Sequence, residues 1–359
     1  MSRPVVAYIH LANLRHNYRL LNRLAAGAQV MSVIKADAYG HGLRLVAPAL
    51  QKEGCHSFAV TNAEEGAVLR GIIGRGSAIT LLSGIFDQEG AALCCLQHLT
   101  PALTEHGQVK LLHEAGFHGQ AWIKVDTSMN RLGTQDVPGL YDACKTAGIG
   151  IAGLMSHLAC ADEPEHALNA VQVERFERIA ASLPADTPKS LLNSAGLISI
   201  GRRTTYDVVR PGIALYGAEP VASMPIGLKP VMSFCGSVIQ LRDIPAGESV
   251  SYGASFITSK PVRIATISTG YADGLPRLLS NQGLTACVGT SGTAILPIVG
   301  RVCMDYCLLD ASGCDIETGM QVEFWGEHVS AAKVAEQVGS IAYELFTGIS
   351  SRVPRQAIE

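Results

Sequence analysis

Short apolar runs recur eight times in the first 212 residues, beginning at positions 29, 56, 78, 98, 120, 153, 189 and 205. They read QVMSVIKA, HSFAVT, AITLLSG, HLTPALT, QAWIKVDT, GLMSHLAC, KSLLNSAG and TYDVVRPG. Between most of them lie stretches whose apolar residues fall three and four apart, as in NAEEGAVLRGI (62–72) and EPEHALNAVQVERFERIAASL (163–183). That spacing gives one apolar helix face, whereas a short unbroken apolar run gives a strand buried on both sides. Strand and helix alternating eight times point to a (β/α)8 barrel. An open doubly wound sheet has the same local pattern, but no GxGxxG follows the first run, which disfavours its dinucleotide-binding form.

After Gly217 the texture changes. VMSFCGSVIQL, PVRIATIST, LTACVGT, TAILPIVGRV, DYCLLDA and MQVEFWG are separated by Gly, Pro and Ser clusters and read as strands without intervening helices. VSAAKVAEQVGSIAYELFTG reads as two short helices. The expected fold class is therefore α/β plus β: an N-terminal barrel over 11–227 and a C-terminal β-rich domain over 228–359. The opening PVVAYIH is expected to place a strand from residues 1–10 in that second domain. A chain of 359 residues exceeds what one core usually supports, so two domains agree with its length.

With 48% hydrophobic and 16% charged residues, the chain is too apolar for disorder. A net charge of −3 supplies no basic field for nucleic acid. No apolar run approaches the ~20 residues of a membrane span, and the first residues lack the apolar core of a signal peptide. A cytoplasmic protein is expected, with its ten cysteines reduced. Cys303, Cys307 and Cys314 lack metal-type spacing and read as small buried hydrophobes, so no metal is expected.

A barrel carries its active site at the C-terminal ends of its strands. Lys35 ends the first run, Arg131 follows the fifth, His157 ends the sixth, Ser194 ends the seventh and Arg210 ends the eighth. Each alone reads more simply as a solvated or structural residue; their shared rim is what favours function. Lys35 directly follows an apolar strand, where desolvation lowers an amine pKa and keeps a nucleophile available. NSAG and VRPGIALYG put a hydroxyl and successive backbone amides where barrels bind phosphate, with Ser194, Gly212 and Ile213 as the cradle.

These segments resemble the alanine racemases, a branch of the barrel-type pyridoxal-phosphate enzymes. The resemblance rests on VIKADAYGHG, KVDTSMNRLG, SHLA, NSAG, VRPGIALYG, SYGASF, GYADG, GRVCMD and RVPR, in order along most of the chain. It implies that Lys35 holds pyridoxal 5'-phosphate and that Tyr39 joins Ser194, Gly212 and Ile213 at its phosphate. It implies Arg210 opposite the pyridine nitrogen, a donor that leaves the ring a weaker electron sink. Racemisation needs a base on each face of Cα, and the resemblance assigns these to Lys35 and to Tyr252 of the partner subunit in a homodimer with shared active sites. Lowering a phenol by ~3 pKa units corresponds to about 4 kcal/mol, expected from cationic neighbours with His157 in contact and Arg210 behind it. Arg131 and Met304 would bind the amino-acid substrate, Asp305 would support them, and Lys124 matches a lysine that is carbamylated in some members.

The implied activity interconverts L- and D-alanine, with D-alanine destined for peptidoglycan. Two departures stand out: Ser128 replaces the usual glycine of KVDTGM, and Ser351 stands where some members carry a tyrosine. The second leaves open a broader racemase acting on serine or other small amino acids. Rival readings are a barrel-type decarboxylase or D-amino-acid aldolase, whose expected features are absent, and a non-enzymatic pyridoxal-phosphate carrier, which needs no second domain.

Overall fold

The computed structural model describes residues 3–201, 206–289 and 292–359, so Met1, Ser2, Thr205 and Thr290, which the sequence reading touched, lie outside the described residues. It divides into two compact units. One comprises Met1–Asn13, Tyr39–Gly42 and Lys229–Glu359; the other comprises Leu14–Ala38 and Leu43–Leu228.

The first strand of the chain, β1 (Val6–His10), belongs to the β-rich unit. The eight apolar runs supply the strands of the other unit: β2 (Gln29–Val30) and β3 (Ser32–Val33) from the first run, then β4 (Ser57–Val60), β5 (Ala78–Leu81), β6 (Thr100–Leu103), β7 (Gln120–Lys124), β8 (Gly150–Met155), β9 (Lys189–Ser190) and β10 (Val208–Val209). β3 to β9 form a parallel sheet in sequence order, and β10 pairs in parallel with β2. The last two runs also meet, through the Asn193–Arg210 bridge and the Asp207 N–H donating to the Lys189 carbonyl at 3.1 Å. The first run is thus divided at Met31, with β2 joining the last strand and β3 joining the second. This closes the sheet into a barrel.

Phe58, Ala59 and Val60 are fully buried, as expected for strands covered on both faces. Side-chain caps start several of the outer helices. Asn62, Asp87, Asp136 and Asn193 accept the N–H of Glu65, Gly90, Gly139 and Gly196, respectively, opening Ala63–Ile73, Gln88–Gln97, Val137–Thr146 and Ser194–Ser199. The helix expected over 163–183 is shorter, Ala167–Ala180. Pro164 disfavours a helical residue before it, and Glu163 instead donates its N–H to the Cys160 carbonyl in a turn.

In the other unit β11 (Met232–Ile244) is central. The remaining strands are β12 (Ser249–Val250), β13 (Phe256–Ile257), β14 (Val262–Ile267), β15 (Leu284–Gly289), β16 (Gly292–Pro297), β17 (Cys307–Asp310), β18 (Gln321–Trp325) and β19 (Arg355–Ile358). β11 pairs β18 through Phe234–Ser237 and then β14 through Val238–Ile244, with a register shift between Val238 and Gln240. Such a bulge bends a strand and lets it serve two ladders. β1 lies between β11, antiparallel, and β19, parallel. At Gly236 a Cβ would come within 2.2 Å of Thr269 Oγ1, so the strand needs a glycine there. The two expected short helices are Ala331–Gln337 and Ala342–Thr347. Among the described residues no helix is long and apolar enough to cross a membrane.

Candidate active site

Lys35 follows β3 and opens a turn of unusual hand. Ala36, Asp37, Ala38 and Tyr39 have φ of 51°, 52°, 56° and 52°, a left-handed run without a glycine. Left-handed helix costs an L-residue roughly 1–2 kcal/mol, so neighbours must compensate. The Ala36 N–H donates to Glu65 Oε1 at 2.8 Å, while Glu65 Oε2 accepts the Thr61 N–H at 2.7 Å. Asp37 Oδ1 accepts the Leu43 N–H at 2.7 Å. The Tyr216 hydroxyl, from the loop after the eighth run, donates to the Val33 carbonyl at 3.2 Å. The strand end carrying Lys35 is held from several sides.

Four further basic residues act on that corner. Burial lowers the Lys35 amine pKa, with Arg131 adding to the effect and Glu65 opposing it. Lys124 is 9% exposed and donates to the Leu82 carbonyl at 2.7 Å. Burial, then Arg210, Arg131 and Lys35, lower its pKa to about 8. His157 is pushed well below its ordinary value by burial and by Arg210, Arg131, Lys124 and Lys35. Its ring is therefore neutral near pH 7, and the charge expected of His157 falls to the arginines instead. Arg210 is buried and lowered to about 10 by desolvation, so it remains a cation at neutral pH. Its guanidinium donates to Ser190 Oγ, the Ser156 carbonyl and the Leu191 carbonyl. These neutral acceptors position the charge without cancelling it.

Cations gathered closely enough to depress the pKa of Lys35, Lys124 and His157 are a poor structural device and a good receptor for anions. The donor set fits pyridoxal phosphate and an amino acid: an amine kept partly available as a nucleophile, a buried guanidinium, and polar groups after the seventh and eighth strands. Ser194 Oγ accepts the N–H of Gly212 at 2.8 Å and of Ala214 at 3.3 Å. The hydroxyl thus ties the two loops together, and Ile213 is buried between these amides. The Gly212 amide, expected to point freely at a phosphate, is engaged by Ser194.

In the β-rich unit Tyr39 is buried, its ring centroid 5.8 Å from that of Tyr343, and burial raises its phenol pKa. Tyr252 and Met304 are 71% and 53% exposed. They lie on neighbouring segments: Ser251 Oγ donates to the Arg301 carbonyl at 2.7 Å and lies 3.4 Å from Cys303 Sγ. Asp305 accepts from Arg352 at 2.9 Å, and Arg352 also binds the fully buried Asp273, which pairs with Arg3. Ser351, next to Arg352, is exposed.

Glu65, Ser156, Ser190 and Asp126 are not among the residues expected from the sequence. Glu65 is the third residue of a capped helix, a position that also suits an acceptor for loop amides. Ser156 directly precedes His157, and Ser190 precedes the Leu191 carbonyl that also binds Arg210; alone, each reads as an ordinary strand residue.

Lys124 gives a pH-dependent expectation for the cofactor-free protein in CO2-free buffer. Its folded pKa of about 8 lies below its unfolded value of 10.5. Between those values the unfolded chain binds more protons, so stability rises with pH there, and the penalty is fully present below about 8. Lys124→Met should stabilise the fold by roughly 1–3 kcal/mol at pH 7, less at pH 9.5. Urea unfolding at both pH values checks this; an equal or larger gain at the higher pH contradicts it.

Residues 9–220 match the family model "Alanine racemase, N-terminal domain" and residues 231–357 match "Alanine racemase, C-terminal domain". A catabolic alanine racemase of Agrobacterium fabrum is 40% identical, over 98% of this chain and 91% of its own length. The crystal structure of the biosynthetic alanine racemase of Pseudomonas aeruginosa is 37% identical with a TM-score of 0.90, covering 99% of this chain and 100% of that one. A Bartonella henselae alanine racemase with covalently bound pyridoxal phosphate is 35% identical with a TM-score of 0.89, covering 99% of each chain. With both domain models matched in order along a barrel that gathers Lys35, Arg131, His157 and Arg210, the chain belongs to the alanine racemase family.

Proposed function

We propose that this isomerase interconverts L- and D-alanine with two bases, Lys35 on one face of Cα and Tyr252 of the partner subunit on the other. Alanine racemisation is the activity of its family, and pyridoxal phosphate is the cofactor. When bound, pyridoxal phosphate withdraws electrons and acidifies the Cα–H of the amino acid attached to it. The observation that carries the assignment is the Lys35 amine, lowered by burial and by Arg131 at the end of the first barrel strand.

Tyr39, Ser194, Gly212 and Ile213 would hold the phosphate, which would take the Gly212 amide from Ser194 Oγ. Arg210 would donate toward the pyridine nitrogen and, staying cationic, could not surrender a proton to it. Reprotonation at Cα is then favoured over transamination. Arg131 would grip the substrate carboxylate with its planar fork, and the backbone N–H of Met304 would meet the same group from the partner subunit. Neutral His157 would orient Tyr252 by hydrogen bonding, with Arg210 supplying the charge that eases loss of the phenolic proton. A carbamate on Lys124 would turn one member of the cationic cluster into an anion beside Arg131, and an amine with a pKa of about 8 is free often enough near neutrality to react with CO2.

Tyr252 and Met304 share their unit with exposed Tyr271, Leu278 and Tyr306. Exposed apolar side chains such as these are suited to cover by a second copy in a homodimer. A cytoplasmic location agrees with a role in supplying D-alanine for peptidoglycan.

Sodium borohydride should fix the cofactor to one lysine, and peptide mass mapping should find it on Lys35. Recovery on Lys124 or any other lysine contradicts the assignment.

A further inference from the structure

We infer that Asp126 is a positioning residue for Arg131, its carboxylate holding the loop that presents the guanidinium to the substrate. The inference rests on Arg131 binding the substrate carboxylate. Asp126 Oδ1 accepts three consecutive backbone N–H groups, from Ser128 at 2.9 Å, Met129 at 2.9 Å and Asn130 at 3.1 Å. Amides converging in this way form a concave anion site, and here the anion is the chain's own side chain. The next residue is Arg131, exposed and therefore dependent on its backbone for direction.

The loop is closed at both ends. The Thr134 N–H donates to the Lys124 carbonyl at 2.8 Å and the Asp126 N–H to the Thr134 carbonyl at 3.2 Å. A Cβ on Gly133 would lie 2.4 Å from the Asp126 nitrogen, so the returning strand passes too close for any side chain. Thr127 Oγ1 lies 2.8 Å from Ser156 Oγ, anchoring the loop base independently of the Asp126 carboxylate. The tip is strained: Ser128 has a φ of 96° and Asn130 a φ of 54°. Ser128 is the position where the family pattern has glycine, and its positive φ is the physical reason for that preference. In this chain Ser128 Oγ accepts from Arg175, an added tether on a residue that pays a conformational penalty. Without the Asp126 carboxylate, three amides lose their acceptor and the tip relaxes toward unstrained backbone.

Misplacing a substrate-gripping group by about 1 Å can cost ~10²-fold. Asp126→Ala in the holoenzyme should raise KM for L-alanine roughly tenfold to a hundredfold, with a smaller change in kcat. Asp126→Asn keeps an Oδ1 acceptor and should stay within about threefold of wild type. Asp126→Glu keeps the charge but displaces it by one methylene, and should raise KM by an intermediate factor even if the alanine variant folds poorly. Amide exchange of the 126–134 segment should quicken roughly tenfold in Asp126→Ala and little in Asp126→Asn.

A double-mutant cycle separates positioning from general support of the fold. In an Arg131→Ala background, Asp126→Ala should change KM by less than about twofold. An equal KM increase in both backgrounds, or faster loop exchange with unchanged KM in the wild-type background, overturns the inference. Wild-type KM in Arg131→Ala alone instead refutes the substrate-contact role of Arg131, while the exchange data still report whether Asp126 holds the loop.

Discussion

Lys35→Ala should lose racemase activity by about 10⁴-fold or more, and Tyr252→Phe by about 10²- to 10⁴-fold, the range for removal of a general base. Lys35 is given the larger loss because in the proposed mechanism it would both anchor the cofactor and exchange a proton. Tyr252→Phe keeps the ring and removes only the hydroxyl, so its packing contribution is retained. Its effect should also be unequal on the two faces. One enantiomer should still exchange its Cα proton with solvent through Lys35, while the other exchanges slowly. Chiral chromatography for racemisation, combined with mass detection of deuterium uptake in deuterated water, reads both quantities. Wild-type racemisation of both enantiomers by Tyr252→Phe would remove the phenol from the mechanism.

The pH dependence of that reaction should reflect an unusual distribution of charge. His157 is kept neutral by burial and by the cations around it, so it can pass or accept a hydrogen bond near pH 7 without adding positive charge. Arg210 remains charged and is fixed by neutral serine and carbonyl acceptors. Arg210 is thereby able to stabilise an anion, whether a carboxylate, a phosphate or a phenolate, its hydrogen-bond acceptors being neutral.

Much of this organisation was legible because barrel strands are buried on both faces and their helices are amphipathic, so both periods survive in the sequence. Lys35, His157, Ser194 and Arg210 could be ranked together because each ends an apolar run. The division of the first strand at Met31 was not legible: QVMSV carries no Gly, Pro or turn signal, and only pairing with the last and second strands separates its halves. Nor was the left-handed turn at Ala36–Tyr39. Alanine favours ordinary helix, and the reversal depends on Glu65, 29 residues further along, accepting the Ala36 amide. Neutral His157 was equally hidden, since its state depends on four cations contributed by three other strand ends of the barrel. Asp126 did leave a local signal, an aspartate followed by Thr127 and Ser128, but that pattern alone does not distinguish a turn from a clasp on the loop leading to Arg131.

The sharing of one site by two chains is the central claim, and subunit hybrids test it most directly. Lys35→Ala and Tyr252→Phe should each be nearly inactive as homodimers. Co-expressed, they should form a mixed dimer in which one site combines intact Lys35 from one chain with intact Tyr252 from the other. Random pairing makes about half of the dimers mixed, each with one good site of two, so activity should recover to roughly a quarter of wild type. Differently tagged chains, purified in tandem and verified by native mass spectrometry, make the comparison clean. Recovery to about a quarter of wild type in the unsorted mixture, and to about half in the purified mixed dimers, is the result expected if Tyr252 serves the partner's lysine; verified mixed dimers that remain as inactive as their parents would contradict it.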